Sequence, residues 1–378
     1  MVIARSKATK QSTRCRWHRG RSGRFAALAT TIVHGRNRPG PPRYGSATTM
    51  VHGRSMTDVS RAARAAAWCL ASVLCAAPAT AAGPFAYVTN QGSDSVSVLD
   101  TASDTVIATL AVGHRPAGVA ASADGRRVYV TNPEGRELSV IDASTHTLIA
   151  SVPIGAGPLA IAIARDGRRL YVADWYDNLV RVLDAAKLTT IAAIPVGRSP
   201  SGLALSPDQR LLYVTNRDDD SLSRIDLARN AVVRTTAVGT APFGVTVSAD
   251  GRRIYTANVR SSDVSVVDAA SFAQTARLPV GLFPYAVAEI PGLHRLFVTN
   301  QRNSSVSVID LDAGREMRRI RVGGYPEGIM LHPDGRRLYV ANWFDDEVTV
   351  LDGLTLEILR TVKVGSGPRA YGPFIAPR

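Results

Sequence analysis

The tetrapeptide YVTN, or a near copy of it, occurs seven times at an unbroken spacing of 42 residues. The copies begin at Tyr87, Tyr129, Tyr171, Tyr213, Tyr255, Phe297 and Tyr339 and read YVTN, YVTN, YVAD, YVTN, YTAN, FVTN and YVAN. A fixed period near 40 residues commits a chain to a repeat architecture, because one unit of that size cannot bury its apolar face alone. Residues shared by every repeat are then scaffold. Function has to be sought where the repeats differ.

One period parses into four short strands, expected at 118–122, 127–131, 138–142 and 147–154. The turn Ala123-Asp124-Gly125 separates the first two, with Gly free to take positive φ and Asp able to bond its own backbone. No ten-residue stretch has helical periodicity. Four strands per period of this length predict an all-β, seven-bladed β-propeller of four-stranded antiparallel blades. A VGxxP-type turn also occurs seven times, at Gly113, Gly155, Gly197, Gly239, Gly281, Gly323 and Gly365. The phase at the two ends is complementary. The repeat region opens on a second strand (85–89), and 369–376 supplies a first strand after the last turn. The N- and C-terminal strands should share one blade and close the ring without an unpaired edge.

With its VGxxP turns and D-G-R-R hairpins, this YVTN array resembles the YVTN-repeat, YncE-like family of seven-bladed propellers found in bacterial and archaeal envelopes. The resemblance covers Pro84 to the C-terminus. It implies the propeller fold and leaves activity open, since propellers of this architecture include binding proteins, lactonases and subunits of redox enzymes.

Whole-chain charge misleads. Residues 1–82 carry 14 of the 45 Lys and Arg and one acid, Asp58, leaving 31 basic and 30 acidic residues for the rest. The basic character belongs to the leader, so it is no argument for nucleic-acid binding by the repeats. Residues 1–55 read as a disordered or over-extended N-terminal stretch. Residues 56–81 read as a secretory signal: Arg61 and Arg64, an apolar run from Ala65 to Ala77, then Ala79-Thr80-Ala81. The run is short for a membrane span. The propeller would occupy 82–378 and be periplasmic or secreted, with no transmembrane segment, as a monomer. Cys15, Cys69 and Cys75 all fall in the leader. The mature domain would hold no disulfide, thiolate metal site or Cys nucleophile.

Three repeated features read as scaffold. The Asp series (Asp100, Asp142, Asp184, Asp226, Asp268, Asp310, Asp352) should end each third strand and cap the next turn. The Asn of YVTN, replaced by Asp174 in one blade, is expected in a left-handed turn conformation. The small residues Gly118, Ala160, Gly202, Gly244, Ala286, Gly328 and Ala370 should let seven inner strands converge.

The departures from the repeat gather on one face, where the VGxxP loops and the segments after YVTN lie. The candidate ligand-binding residues are Arg115, Trp175, Tyr176, Phe243, Phe283, Tyr285, Tyr325, Glu327, Trp343, Phe344 and Arg369. An aromatic rim with a few charges suits a small-molecule or protein-binding site; the alternative is that the aromatics plug the channel. The opposite face carries the hairpin arginines, such as Arg126, Arg168, Arg252 and Arg336, read mainly as solvated charge. Glu289 stands where other blades have apolar residues. It implies either a blade distorted by Pro291-Gly292-Leu293 or a carboxylate in an apolar layer, with distortion preferred. His114, His146, His294 and His332 share no register, so no metal and no cofactor is assigned. No catalytic residue is assigned either. The leading reading is an exported, non-enzymatic propeller that binds a small ligand or protein partner on its aromatic loop face. The alternatives are a lactonase-like hydrolase, for which Glu327, Arg369, His114 and Arg115 are the candidates; an accessory subunit of a quinone- or haem-dependent dehydrogenase; and nucleic-acid binding through the arginine face.

Overall fold

The computed structural model describes residues 84–376. The N-terminal stretch 1–55 and the signal-like segment 56–81 lie outside the described residues. Within them, seven four-stranded antiparallel sheets follow one another along the chain. Blades are numbered here by their YVTN copy, blade 1 holding Tyr87 and blade 7 Tyr339. Blade 2 has strands Val119–Ala121, Arg127–Asn132, Glu137–Asp142 and Thr147–Pro153, within two residues of the sequence-based bounds. Among the described residues no helix is long and apolar enough to cross a membrane.

The burial pattern explains the sequence pattern. Second and third strands are sandwiched between neighbouring blades, so both their faces are covered. Phe85–Asn90 and Ser95–Asp100 are buried almost throughout. Fourth strands form the rim and alternate, as in Thr105–Ala111. Each blade has a register shift between its third and fourth strands at the same repeat position, from Val98/Leu99 in blade 1 to Val350/Leu351 in blade 7. Such bulges twist an outer strand and make its exposed edge a poor template for another chain.

Ring closure takes the expected form with an added twist. Ile375–Ala376 pairs antiparallel with Phe85–Asn90 and completes blade 1. The residues just before it do not continue that strand. Tyr371 forms a parallel bridge to Gly118 of blade 2, and the Val119 and Ala121 N–H groups donate to the Tyr371 and Pro373 carbonyls (both 2.9 Å). Gly372, at φ +123°, makes the turn; a Cβ there would stand 2.5 Å from the Val119 carbonyl oxygen. The C-terminal segment thus stitches blade 1 to blade 2.

All seven third-strand aspartates cap the following turn, each accepting a backbone N–H two or three residues on, as Asp100 does from Ala102 (3.0 Å). The small-residue ring is required by contact: a Cβ on Gly328 would lie 2.0 Å from the Ala370 carbonyl oxygen. The Thr of YVTN has a role the sequence did not reveal. In blade 2, Thr131 Oγ accepts the Gly118 N–H (2.9 Å) and donates to the Leu159 carbonyl of blade 3 (2.6 Å). Thr89, Thr215 and Thr299 make the same inter-blade bond.

The expectation for the Asn is corrected. Asn216 and Asn300 are extended, at φ −103° and −118°, and buried. The left-handed residue comes four positions later, at Asp94, Arg136, Asn178, Asp220, Ser262, Ser304 and Asp346. Asn is needed for its amide, which donates to a third-strand hydroxyl seven residues on: Ser97, Ser139, Ser223, Ser265, Ser307 or Thr349, at 2.8–2.9 Å.

Candidate functional site

The inner strands bring the residues after the loop prolines together at the axis on the loop face. Phe243 and Tyr285 stack with centroids 4.3 Å apart, and Tyr371 packs on both at 5.2 and 5.5 Å. All three are buried. The Tyr371 hydroxyl donates to the Phe243 carbonyl (3.2 Å). Tyr371, not among the aromatic candidates, stands at an inner-strand position where the other blades have Val119, Ile161, Leu203, Val245, Val287 and Ile329. Beside this stack, Arg369 Nε donates to Glu327 Oε2 at 2.6 Å. Gln301 donates to Glu327 Oε1 (3.1 Å), and Arg369 also bonds the Tyr285 hydroxyl. Burial pushes the Glu327 carboxyl up, while Arg369 and the neighbouring donors pull it back. Burial likewise raises the Tyr285 phenol well above its usual range. The network is internally satisfied and closes the axis on this face.

The remaining candidates lie outside that plug. Trp175 joins its edge, 6.3 Å from Phe243, with the Arg217 guanidinium 5.6 Å over its ring. Tyr176 next to it is 70% exposed. Tyr325, Trp343 and Phe344 form a second cluster, with centroids 4.9–6.1 Å apart; Phe344 is 64% exposed. The buried Trp343 indole N–H has no hydrogen-bond partner. Phe283 packs under Arg302, 4.2 Å from the guanidinium. Phe283 and Tyr325 take left-handed backbone, φ 58° and 56°, as do Arg115, Ser199, Ala241 and Gly367 at the same loop position of other blades, so the conformation belongs to the repeat. Bulky residues rarely hold that conformation, which suits Gly. Arg115 is set apart, engaged with Glu134 (3.1 Å) and, through its N–H, with Asp94 (2.8 Å). The acids Asp177, Asp345 and Asp346 flank the exposed aromatics in sequence.

The other end of the axis is open. A cavity of about 560 Å³ begins at the small-residue ring and Tyr371 and runs to the hairpin ends at Gln209 and Pro291. Ile161, Leu203, Val245, Val287 and Ile329 line it at 42-residue steps. Glu289 lines its mouth. The preferred account of Glu289 is overturned. Its strand pairs Val287 with Val298 and Glu289 with Leu296, the register of Val245–Thr256 and Val247–Ile254 one blade earlier. Pro291–Leu293 forms a short 3-10 turn beyond the pairing, leaving the strand undistorted. Arg165 also lines this cavity, and elsewhere on the hairpin face Arg336 and Arg337 are bonded to Asp352 (2.6 Å) and Asp334 (2.7 Å).

A family model described as a YncE-like β-propeller matches residues 45–207 and 286–371, well over half the chain. The chain belongs to the YncE-like β-propeller family. Residues 145–278 also match a seven-bladed lactonase propeller model. No curated protein matches at a significant level. Among solved structures, this YncE-like propeller is similar to hydrazine synthase from Kuenenia stuttgartiensis: 23% identity, TM-score 0.64, covering 72% of this chain and 92% of that one. It is also similar to the dihydro-haem d1 dehydrogenase NirN, at 18% identity and TM-score 0.60, covering 75% and 74%. A functionally unknown protein from Desulfotomaculum acetoxidans gives 15% identity and TM-score 0.66, covering 77% and 100%. At these identities the likeness establishes the fold alone.

Proposed function

We propose that this is an exported binding propeller, non-enzymatic, that docks a protein partner on its loop face through Tyr176 and the Tyr325–Trp343–Phe344 cluster. The carrying observation is the pairing of exposed aromatics with a closed axis. Phe344 and Tyr176 stand in solvent on a face whose centre is filled by Phe243, Tyr285 and Tyr371. A filled centre leaves little concavity for a small molecule, whereas protruding aromatics are what anchor protein interfaces. Neighbouring Asp345 and Asp346 favour a partner segment carrying Lys or Arg.

Site-specific photo-crosslinking in the native envelope tests this. A probe at Phe344 or Tyr176 should capture one partner of constant mass, and a probe at Arg252 on the hairpin face should not. Equal capture from both faces, or none from the loop face, sinks the reading. The lactonase match favours a hydrolase as a second reading. Its candidate acid, Glu327, is already bonded to Arg369, Gln301 and the Tyr285 network. Turnover of a lactone panel that is abolished in Glu327→Gln, with folding intact, would establish that reading instead.

A further inference from the structure

The axial cavity and the carboxylate at its mouth form a site independent of the loop face. Five of the seven blades line it with aliphatic side chains, and the C-terminal stitch walls off the remainder through Tyr371, Gly372 and Pro373. The volume of about 560 Å³ falls within the range of ligand pockets, and an apolar lining with few polar groups is their usual chemistry. Tyr371 ends the cavity toward the loop face, so entry is from the hairpin side.

At the mouth the repeat places Ile163, Leu205, Val247, Glu289 and Leu331 at equivalent positions. Four are aliphatic and one is a carboxylate. Glu289 is half-buried, and the Ala249 N–H donates to its Oε2 (3.1 Å). That bond leaves Oε1 available. A partly desolvated carboxylate with an oxygen to spare gains more from a cationic donor than one in water does. Arg253 and His294, which exert a weak pull on Glu289, do not outweigh its burial.

We propose that this cavity binds a small amphiphile with an apolar body and a cationic nitrogen, the body against the aliphatic walls and the ammonium on Glu289. The body contributes by displacing water from the aliphatic lining. The head contributes a charge-assisted hydrogen bond, which sets amines apart from alcohols of equal length.

Calorimetry with octylamine, octan-1-ol and octanoate on the purified full chain tests it. Octylamine should bind most tightly of the three; octanoate binding as tightly, through Arg165 on the same lining, would overturn the amine preference. Glu289→Gln should weaken octylamine about tenfold and leave octanol within about twofold, the size of one lost charge-assisted bond. Leu331→Trp, which narrows the mouth, should weaken all three, with circular dichroism confirming the fold. An octylamine affinity no better than octanol, an amine preference surviving Glu289→Gln, or no binding by any of the three overturns the proposal.

Discussion

Arg181 donates to Asp174 across 3.0 Å at the two positions where other blades pair an Asn with a Ser or Thr. Asp174 is fully buried and also accepts the Ala156 and Gly157 N–H groups (both 2.9 Å); Arg181 reaches on to Asp177 (2.5 Å). Burial alone would raise the Asp174 carboxyl, but Arg181 and the backbone donors hold it below the usual carboxylate range. Blade 3 has exchanged both halves of a neutral hydrogen bond for the two halves of an ion pair.

The exchange should behave as a unit. Arg181→Ser alone strands a buried carboxylate and should cost about 3 kcal/mol. Adding Asp174→Asn restores the pairing used by the other blades and should recover most of that loss, to within about 1 kcal/mol. Urea denaturation of the two single variants and the double measures the coupling; additive losses would show that the residues act separately.

Thr131→Val removes an inter-blade donor and the acceptor of the Gly118 N–H with little change of shape. Stability should fall by about 1–3 kcal/mol. Chemical denaturation gives the figure, and Ala173→Val, at the equivalent blade 3 position that has no hydroxyl to lose, controls for the added methyl groups.

His332 makes the seam between blades 7 and 1 pH-sensitive. Thr101 Oγ donates to the Pro84 carbonyl (2.5 Å), and the Asp334 N–H donates to His332 Nδ1 (3.1 Å). His332 Nε2 lies 3.0 Å from Thr101 Oγ, and its Nδ1 also stands 2.9 Å from Asp334 Oδ2. Burial lowers the His332 pKa from 6.5, Arg337 assisting and Asp334 and Asp104 opposing. A lowered folded value means the unfolded chain takes up the proton first. Stability is full above about pH 6.5 and declines as pH falls toward the folded value. The denaturation midpoint should drop between pH 7.5 and 5, less so in His332→Gln, which removes the titrating ring. His146, also lowered by burial, supplies a residual slope. Equal drops in both proteins would remove His332 from the account.

Gly372→Ala forces a side chain into an unfavourable φ and against the Val119 carbonyl. About 1–3 kcal/mol should be lost. Limited proteolysis should show earlier cleavage near the C-terminus than in Gly367→Ala, whose Cβ meets the Gly92 N and Trp343 Nε1 at 3.1 Å.

The 42-residue ruler made blade count, strand order and ring closure legible, because each follows from a pattern repeated seven times. Repetition also made the Asp caps and small-residue ring readable. It hid the Asn–Ser bond and the Thr clamp, since a residue present in nearly every blade offers no contrast from which to infer a partner. The axial plug depended on Tyr371, which lies beyond the last YVTN copy. Glu289 was visible as a departure, but its consequence depended on the open end of the axis. That opening is set by how the inner strands and the C-terminal segment share the space, which no local pattern records.

Residues 369–376 bond blade 1 and blade 2 at once, yet they follow all seven blades in the chain. During synthesis, blade 1 lacks its inner strand and blade 2 keeps a bare inner edge until these residues emerge. Such edges recruit strands from other molecules. The stitch is therefore also a matter of timing: it makes residues translated after all seven blades the ones that end the propeller's exposure to self-association. A chain stalled or clipped just short of them would hold all the other strands of the propeller and still be open to aggregation.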